Sequence, residues 1–198
     1  MPQYFDNDDA VKSHPTLYSA IVLGRSFTFE SDAGVFSKAG LDDGSRLLLE
    51  TIAKTDLGTN ILDLGCGVGP IGLILASFDP ARRLVLADVS RRALDLARKN
   101  AASLGLSDRV EVVESDVYSG ISSTFDCIVT NPPIRAGKKV TYAMYAGALS
   151  HLNEGGRLIL VIRTKQGAES CFAYLQTLFG KVECVKQKKG YRILIATK

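Results

Sequence analysis

ILDLGCGVGPIG, residues 61–72, opens as an apolar strand, turns through glycines at 65, 67 and 69, and meets a fourth, Gly72, inside a helical pattern. Glycine suits such a turn because it accepts backbone angles that side chains resist and lets a ligand approach the main chain. A strand, a tight turn and a helix in this order begin an open, mostly parallel α/β sheet. From about residue 60 the chain repeats the alternation. Short apolar runs predict strands at 60–64, 84–88, 110–114, 125–130, 157–162, 182–187 and 191–197. Helical patterns lie between them at 68–78, 90–104, 141–152 and 168–179. In the second of these, Leu94, Ala97, Ala101 and Leu104 form one apolar stripe, with Ser90 as N-cap and Gly105 as C-terminal stop. Only residues 188–190 separate the last two strands, so they form a hairpin and the final strand runs antiparallel.

The first residues follow another pattern. Residues 20–23 and 26–30 predict short strands about a Gly24-Arg25 turn, followed by the loop Asp32-Ala33-Gly34 and a helix near 43–53. Residues 1–55 therefore read as a hairpin-and-helix extension packed on a core of 56–198, the whole forming one domain over 1–198. A length of 198 residues suffices to bury a sizeable core. Apolar and charged fractions of 46% and 23% are those of an ordinary globular protein. A net charge of +3 neither requires nor forbids nucleic acid, so charge placement must decide. The four cysteines, Cys66, Cys127, Cys171 and Cys184, form no CxxC pair and have no histidine close in sequence. Each sits in an apolar run and reads as a small core residue in a reducing compartment, with no metal site. No basic-then-apolar leader and no run of membrane-spanning length appears, which predicts a cytoplasmic protein without a membrane partner.

Three carboxylates end three successive predicted strands. Gly67 to Gly72 matches GxGxxG, and Asp88 ends the next strand, as in dinucleotide sites. Asp63, just before the glycines, opposes a pyrophosphate and suits a cationic ligand such as the aminopropyl-carboxylate moiety of S-adenosylmethionine. Asp88 can accept from ribose hydroxyls, and Asp116 from an adenine amino group while the Val117 N–H donates to a ring nitrogen. The next strand runs into TNPPIRAGKK, residues 130–139. Consecutive prolines remove two donors and fix φ, which is expected to leave the Pro132 carbonyl unused by any local turn. That carbonyl and the Asn131 side-chain oxygen form a rigid pair of acceptors for a planar amine. Accepting both hydrogens localises the nitrogen lone pair for in-line attack on an electrophilic methyl.

DLGCGVG, ADVS, ESDVY and NPPI, in this order and spacing, resemble the class I S-adenosylmethionine-dependent methyltransferases that act on exocyclic or amide nitrogen. More narrowly, FTFESDAGVFSKAGLDDGSRLLLE, NPPIRAGK and RTKQGAESC resemble the small-subunit ribosomal-RNA guanine-N2 methyltransferases, the RsmC-like group, and especially its short single-domain members. The resemblance implies a Rossmann-like class I methyltransferase fold: α/β, a mostly parallel seven-stranded sheet with an antiparallel last strand, and helices on both faces. It implies S-adenosylmethionine as cofactor, held by Asp63, Gly65, Cys66 and Gly67 at its methionine part, by Asp88 and Val89 at the ribose, and by Asp116 and Val117 at the adenine. Asn131 and Pro132 hold the target amine, and Phe36, Pro133, Ile134, Arg135, Lys138 and Lys165 touch the substrate. Ile134 stands where an aromatic residue often stacks on a flipped base, leaving Phe36, Tyr142 or Tyr145 as substitutes.

Charge placement points to RNA. Arg135, Lys138 and Lys139 follow the fourth strand of the core, Arg163 and Lys165 the fifth, and Lys188 and Lys189 lie in the final hairpin turn. A parallel sheet brings all three turns to one edge, where they suit phosphate contacts. Gln166 stands beside them as a reader of base edges or a helix cap. The expected partner is ribosomal RNA or the small ribosomal subunit; the oligomeric state is left open. Two other functions fit the same residues: a protein-glutamine N5 methyltransferase, and an inactive cofactor-binding module in RNA assembly.

Overall fold

Strands with bulky apolar residues at both odd and even positions must be covered on both faces. The structure, a computed structural model, describes residues 12–35 and 40–198. The central sheet has the order β5-β4-β3-β6-β7-β9-β8, built from β3 (Asn60–Leu64), β4 (Arg83–Asp88), β5 (Val110–Glu114), β6 (Phe125–Thr130), β7 (Leu152–Arg163), β8 (Lys181–Lys188) and β9 (Tyr191–Thr197). Ile61, Cys127, Val129, Ile159, Val161 and Ile193 face one core, which holds α1 (Asp43–Ile52), α2 (Pro70–Phe78) and α3 (Arg91–Ser103). Their neighbours Leu62, Ile128, Leu158, Leu160, Ile162 and Leu194 face the other, under α4 (Lys138–His151) and α5 (Ala168–Leu178). Each fully buried Leu or Ile contributes about 1.5–3 kcal/mol relative to exposure. The sheet is therefore the shared wall of two cores.

β3 pairs in parallel with both β4 and β6, so the strand order reverses direction at β3. Ligands bind open α/β sheets at the carboxyl ends of strands beside such a switch. β9 is antiparallel to both β7 and β8, as the short connection requires. The class I methyltransferase fold is the one the sequence implies.

Three elements start three or more residues from the expected place. β7 starts at Leu152, because Leu152 already pairs with Phe125 across an irregularity that the apolar run does not mark. α4 begins at Lys138, ahead of its apolar residues. The N-terminal hairpin, β1 (Thr16–Val22) and β2 (Arg25–Ser31), turns at Leu23 and Gly24, both with positive φ of 48° and 82°. Arg25 pairs with Val22 and its guanidinium bonds the Ser77 carbonyl at 2.5 Å, so it belongs to the strand. Cys184 also corrects the sequence reading: it is exposed, because β8 is the sheet's edge and all its residues but Val182 are exposed.

The hairpin buries Tyr18, Ala20, Val22, Phe27 and Phe29 against α1 and the first core. Asn100 of α3 fastens it: Nδ2 donates to the Glu30 and Val68 carbonyls at 3.0 Å each, and Oδ1 accepts from Glu30 N at 2.7 Å. No described helix is long and apolar enough to cross a membrane.

Candidate active site

A cavity of about 620 Å³ opens at the carboxyl ends of β3 to β7. Its first wall is the glycine loop. Gly65 N and Cys66 N donate to the Ala87 carbonyl at 2.8 and 3.0 Å, and Gly69 N to the Cys66 carbonyl at 3.0 Å. Gly65, Gly67 and Gly69 carry φ of 74°, 57° and 87°, the left-handed region that glycine enters without strain. A side chain at Gly67 would meet nothing within 4 Å, so the surface above the loop is open. Gly72 does a different job: a Cβ there would come within 2.4 Å of Leu86 Cδ2, so it lets α2 pack on β4.

Two acids brace this wall. Asp63 is 1% exposed and lies behind the cavity lining, its Oδ2 accepting from Gly72 N at 2.8 Å in the first turn of α2. Its Oδ1 is buried without a protein partner. Burial pushes its carboxyl up to about 7 and Asp88 adds to the rise, against the Gly72 N–H. Asp88 is half-buried on the cavity and accepts from Gly67 N at 2.8 Å and Ser90 N at 2.9 Å. Burial raises its carboxyl too, opposed by these N–H groups and that of Val89. Burial also drives the Cys66 thiol upward, so it stays protonated as a packing residue. One acid behind the loop with an unsatisfied oxygen, and a second on the cavity, fit a cationic ligand such as S-adenosylmethionine.

Asp116 and Val117 reach the cavity from the loop after β5. Val117 has φ of 54°, a rare conformation for a β-branched residue and one that clusters at functional sites. Ser115 Oγ donates to its carbonyl at 2.9 Å and holds the turn.

Asn131, Pro132, Pro133, Ile134 and Arg135 form the opposite wall. The Pro132 carbonyl is not left unused: it accepts from Ile134 N at 2.9 Å through a γ-like turn at Pro133, φ −75° and ψ 79°. Two prolines remove the donors at 132 and 133, but the next donor folds back. One lone pair of that carbonyl remains. Asn131 Nδ2 contacts Ser45 Oγ at 3.0 Å and both Asp42 carboxylate oxygens at 3.3 and 3.4 Å.

The structure thus brings Gly65, Cys66, Gly67, Asp88, Val89, Asp116, Val117, Asn131, Pro132, Pro133, Ile134 and Arg135 to one cavity. Lys138 and Lys165 are exposed beside it but do not line it, and Phe36 lies outside the described residues. Tyr142 and Tyr145 are not at the cavity: Tyr142 stacks on Tyr174 at 4.0 Å and Tyr145 is buried in the second core. Their helix turns that face toward α5. Asp42, Ser45 and Tyr191, unassigned by sequence reasoning, do line it. Tyr191 receives a hydrogen bond from Arg163 Nε at 2.8 Å. Asp42 carried a local signal, an acid three residues before Ser45 at a helix start, whereas Tyr191 carried none. Among the described residues no group of His, Cys, Asp or Glu is placed to hold a metal ion.

Comparison with known proteins agrees with this geometry. The chain is 44% identical over 197 residues to the uncharacterized protein YbxB of Bacillus subtilis, covering 98% of each. It is 37% identical over 190 residues to ribosomal RNA small subunit methyltransferase C of Erwinia tasmaniensis, covering 92% of this chain and 53% of that protein. It spans about half the length of such methyltransferase C relatives. The T. thermophilus 16S rRNA N2 G1207 methyltransferase RsmC, solved with AdoMet and guanosine, superimposes with a TM-score of 0.83 at 29% identity, covering 93% of this chain and 50% of that one. Residues 26–195 match the family Methyltransferase small domain, and the chain belongs to that family.

Proposed function

We propose that this chain, an S-adenosylmethionine-dependent methyltransferase, methylates the exocyclic N2 amine of guanine in small-subunit ribosomal RNA. The observation that carries the reading is Asn131-Pro132-Pro133 at the end of β6, sharing one cavity with the glycine loop. The likeness to an enzyme solved with guanosine supports the choice of base. S-adenosylmethionine supplies an electrophilic methyl group. Gly65, Cys66 and Gly67 hold its methionine part with the carboxyl of Asp63 buried behind them, Asp88 and Val89 hold its ribose, and Asp116 and Val117 its adenine. Asn131 Oδ1 and the remaining lone pair of the Pro132 carbonyl accept the two hydrogens of the target amine. This withdraws the nitrogen lone pair from the ring and aims it, so the chain contributes positioning and fixed dipoles rather than a nucleophile. Pro133 and Ile134 offer apolar contact to the base, and Phe36 extends that surface in this reading.

The substrate class rests on charge. Arg135, Lys138, Lys139, Arg163, Lys165, Lys188 and Lys189 are all exposed, and among the described residues none forms an ion pair. Lys138 and Lys139 occupy the first turn of α4, where the helix dipole disfavours cations and no acid compensates. Such local conflict is tolerated where function needs it. An RNA backbone relieves it. The test is transfer of labelled methyl to unmodified ribosomal RNA and small subunits, followed by nucleoside analysis. N2-methylguanosine is expected. Label on protein glutamine would replace the RNA reading with the amide one, and cofactor binding without transfer to either would leave an inactive RNA-binding module.

A further inference from the structure

A carboxamide presents its oxygen or its NH2 group with almost the same shape, so its neighbours decide which way it points. Two neighbours reach Asn131 from the N-terminal unit. Asp42 is the N-cap of α1: its Oδ1 accepts from Gly44 N at 2.9 Å and Ser45 N at 3.1 Å, and its Oδ2 from Ser45 Oγ at 2.6 Å. These donors fix the carboxylate in place. Ser45 Oγ has one hydrogen, and that hydrogen goes to Asp42. Toward Asn131, therefore, both Asp42 and Ser45 can only accept. The NH2 group must face them, at 3.0 Å from Ser45 Oγ and 3.3 and 3.4 Å from the carboxylate oxygens. The packing leaves little slack, since a Cβ at Gly44 would lie 3.0 Å from Asp42 Oδ1 and 2.8 Å from Tyr191 Cε1.

We propose that Asp42, with Ser45, is a positioning residue that locks the Asn131 carboxamide with its oxygen on the substrate side, so that a helix cap sets the acceptor character of the amine site. The inference rests on the reading of Asn131 as the amine acceptor. A flipped carboxamide would offer hydrogens to a group that itself offers hydrogens. Loss of the lock therefore acts on turnover and leaves the glycine-loop side of the cavity untouched.

Asp42→Asn tests this, because asparagine keeps the size and remains a good helix cap while offering an NH2 of its own to residue 131. Its turnover on ribosomal RNA is expected to fall about tenfold or more, with cofactor Kd and RNA KM within about twofold. Ser45→Ala, which leaves the Asp42 carboxylate, is expected to lose less. In an Asn131→Ala background Asp42→Asn should add no further loss, since both act through one group. Independently of turnover, the Asn131 side-chain amide protons should show NMR contacts to the Ser45 β protons and slow exchange, and lose both in Asp42→Asn. Wild-type turnover in Asp42→Asn, additive losses in the double variant, or unchanged Asn131 amide signals would overturn the proposal. Normal turnover in Asn131→Ala would instead defeat the reading of Asn131 as acceptor, while the amide signals still decide what fixes its orientation.

Discussion

The two walls of the cleft are built by different physics. The glycine-loop wall is local: Asp63 and Asp88 follow one another at adjacent strand ends and bond only backbone N–H groups in the bonds described, Asp63 buried behind the lining and Asp88 on the cavity. The Asn131 wall is assembled from afar. Its carboxamide meets residues 89 and 86 positions away, and its flank carries exposed cations from separate turns. The first wall spends buried charge to attract a small cation. The second arranges acceptors and diffuse charge for a large polyanion. Damage to one should spare the other.

The sharpest break is Asn131→Ala, which should lower methyl transfer by at least about a hundredfold while cofactor affinity, read by calorimetry, stays within about threefold. Loss of cofactor binding there would mean the walls are not separable. Next comes Gly72→Ala, whose Cβ would press on Leu86 Cδ2 from 2.4 Å. Denaturant unfolding should show a loss of about 1–3 kcal/mol. Asp88→Ala should weaken cofactor binding by more than about tenfold, or 1.4 kcal/mol; unchanged affinity removes Asp88 from the ribose site. A comparable effect should follow from pH. Asp63 ionises near 7, and a cation prefers the ionised form, so affinity is full above that value and falls as pH drops through it. Titration calorimetry should find binding about tenfold weaker at pH 6 than at pH 8. The same shift means that the ligand-free fold loses stability as pH rises from about 4 toward 7, because the unfolded chain ionises first. Smallest is Lys138→Ala with Lys165→Ala: RNA affinity should drop severalfold and its salt slope by about 2, with cofactor affinity unmoved.

Sequence legibility followed the same divide. β3, β4 and β6 could be read because strands buried on both faces leave continuous apolar runs, and a strand–glycine–helix turn is a contiguous pattern. The start of β7 was hidden, since Asn153, Glu154, Gly155 and Gly156 carry no strand signal and lie in the irregularity between the Leu152–Phe125 and Arg157–Cys127 pairs. In β1, exposed Leu17 and Ile21 alternate with buried Tyr18 and Ala20, so both faces look apolar and the period vanishes. At the site, Asp63, Asp88 and Asn131 announce themselves at strand ends. Asp42 shows locally only as a helix cap; its contact with Asn131, like the place of Tyr191 at the cavity, depends on folding over long separations, which no local pattern encodes. The Pro132 carbonyl misled because the prolines describe the donors they lack, not the Ile134 N–H that follows.

β9 lies between β7 and β8 although β8 precedes it in the chain. The edge of β7 is therefore taken by YRILIAT and not by KVECVKQK, which comes first in the chain. KVECVKQK is a poor match for that place, because an interior slot needs apolar residues on both faces and β8 offers lysines. β9 supplies Ile193, Leu194 and Ala196, all buried, and takes the place. The irregularity between Cys184 and Lys186 then bends β8 at the outer edge, which discourages pairing with another chain. The lysine-rich strand thus closes the sheet at its edge, and the apolar one fills the seat inside it.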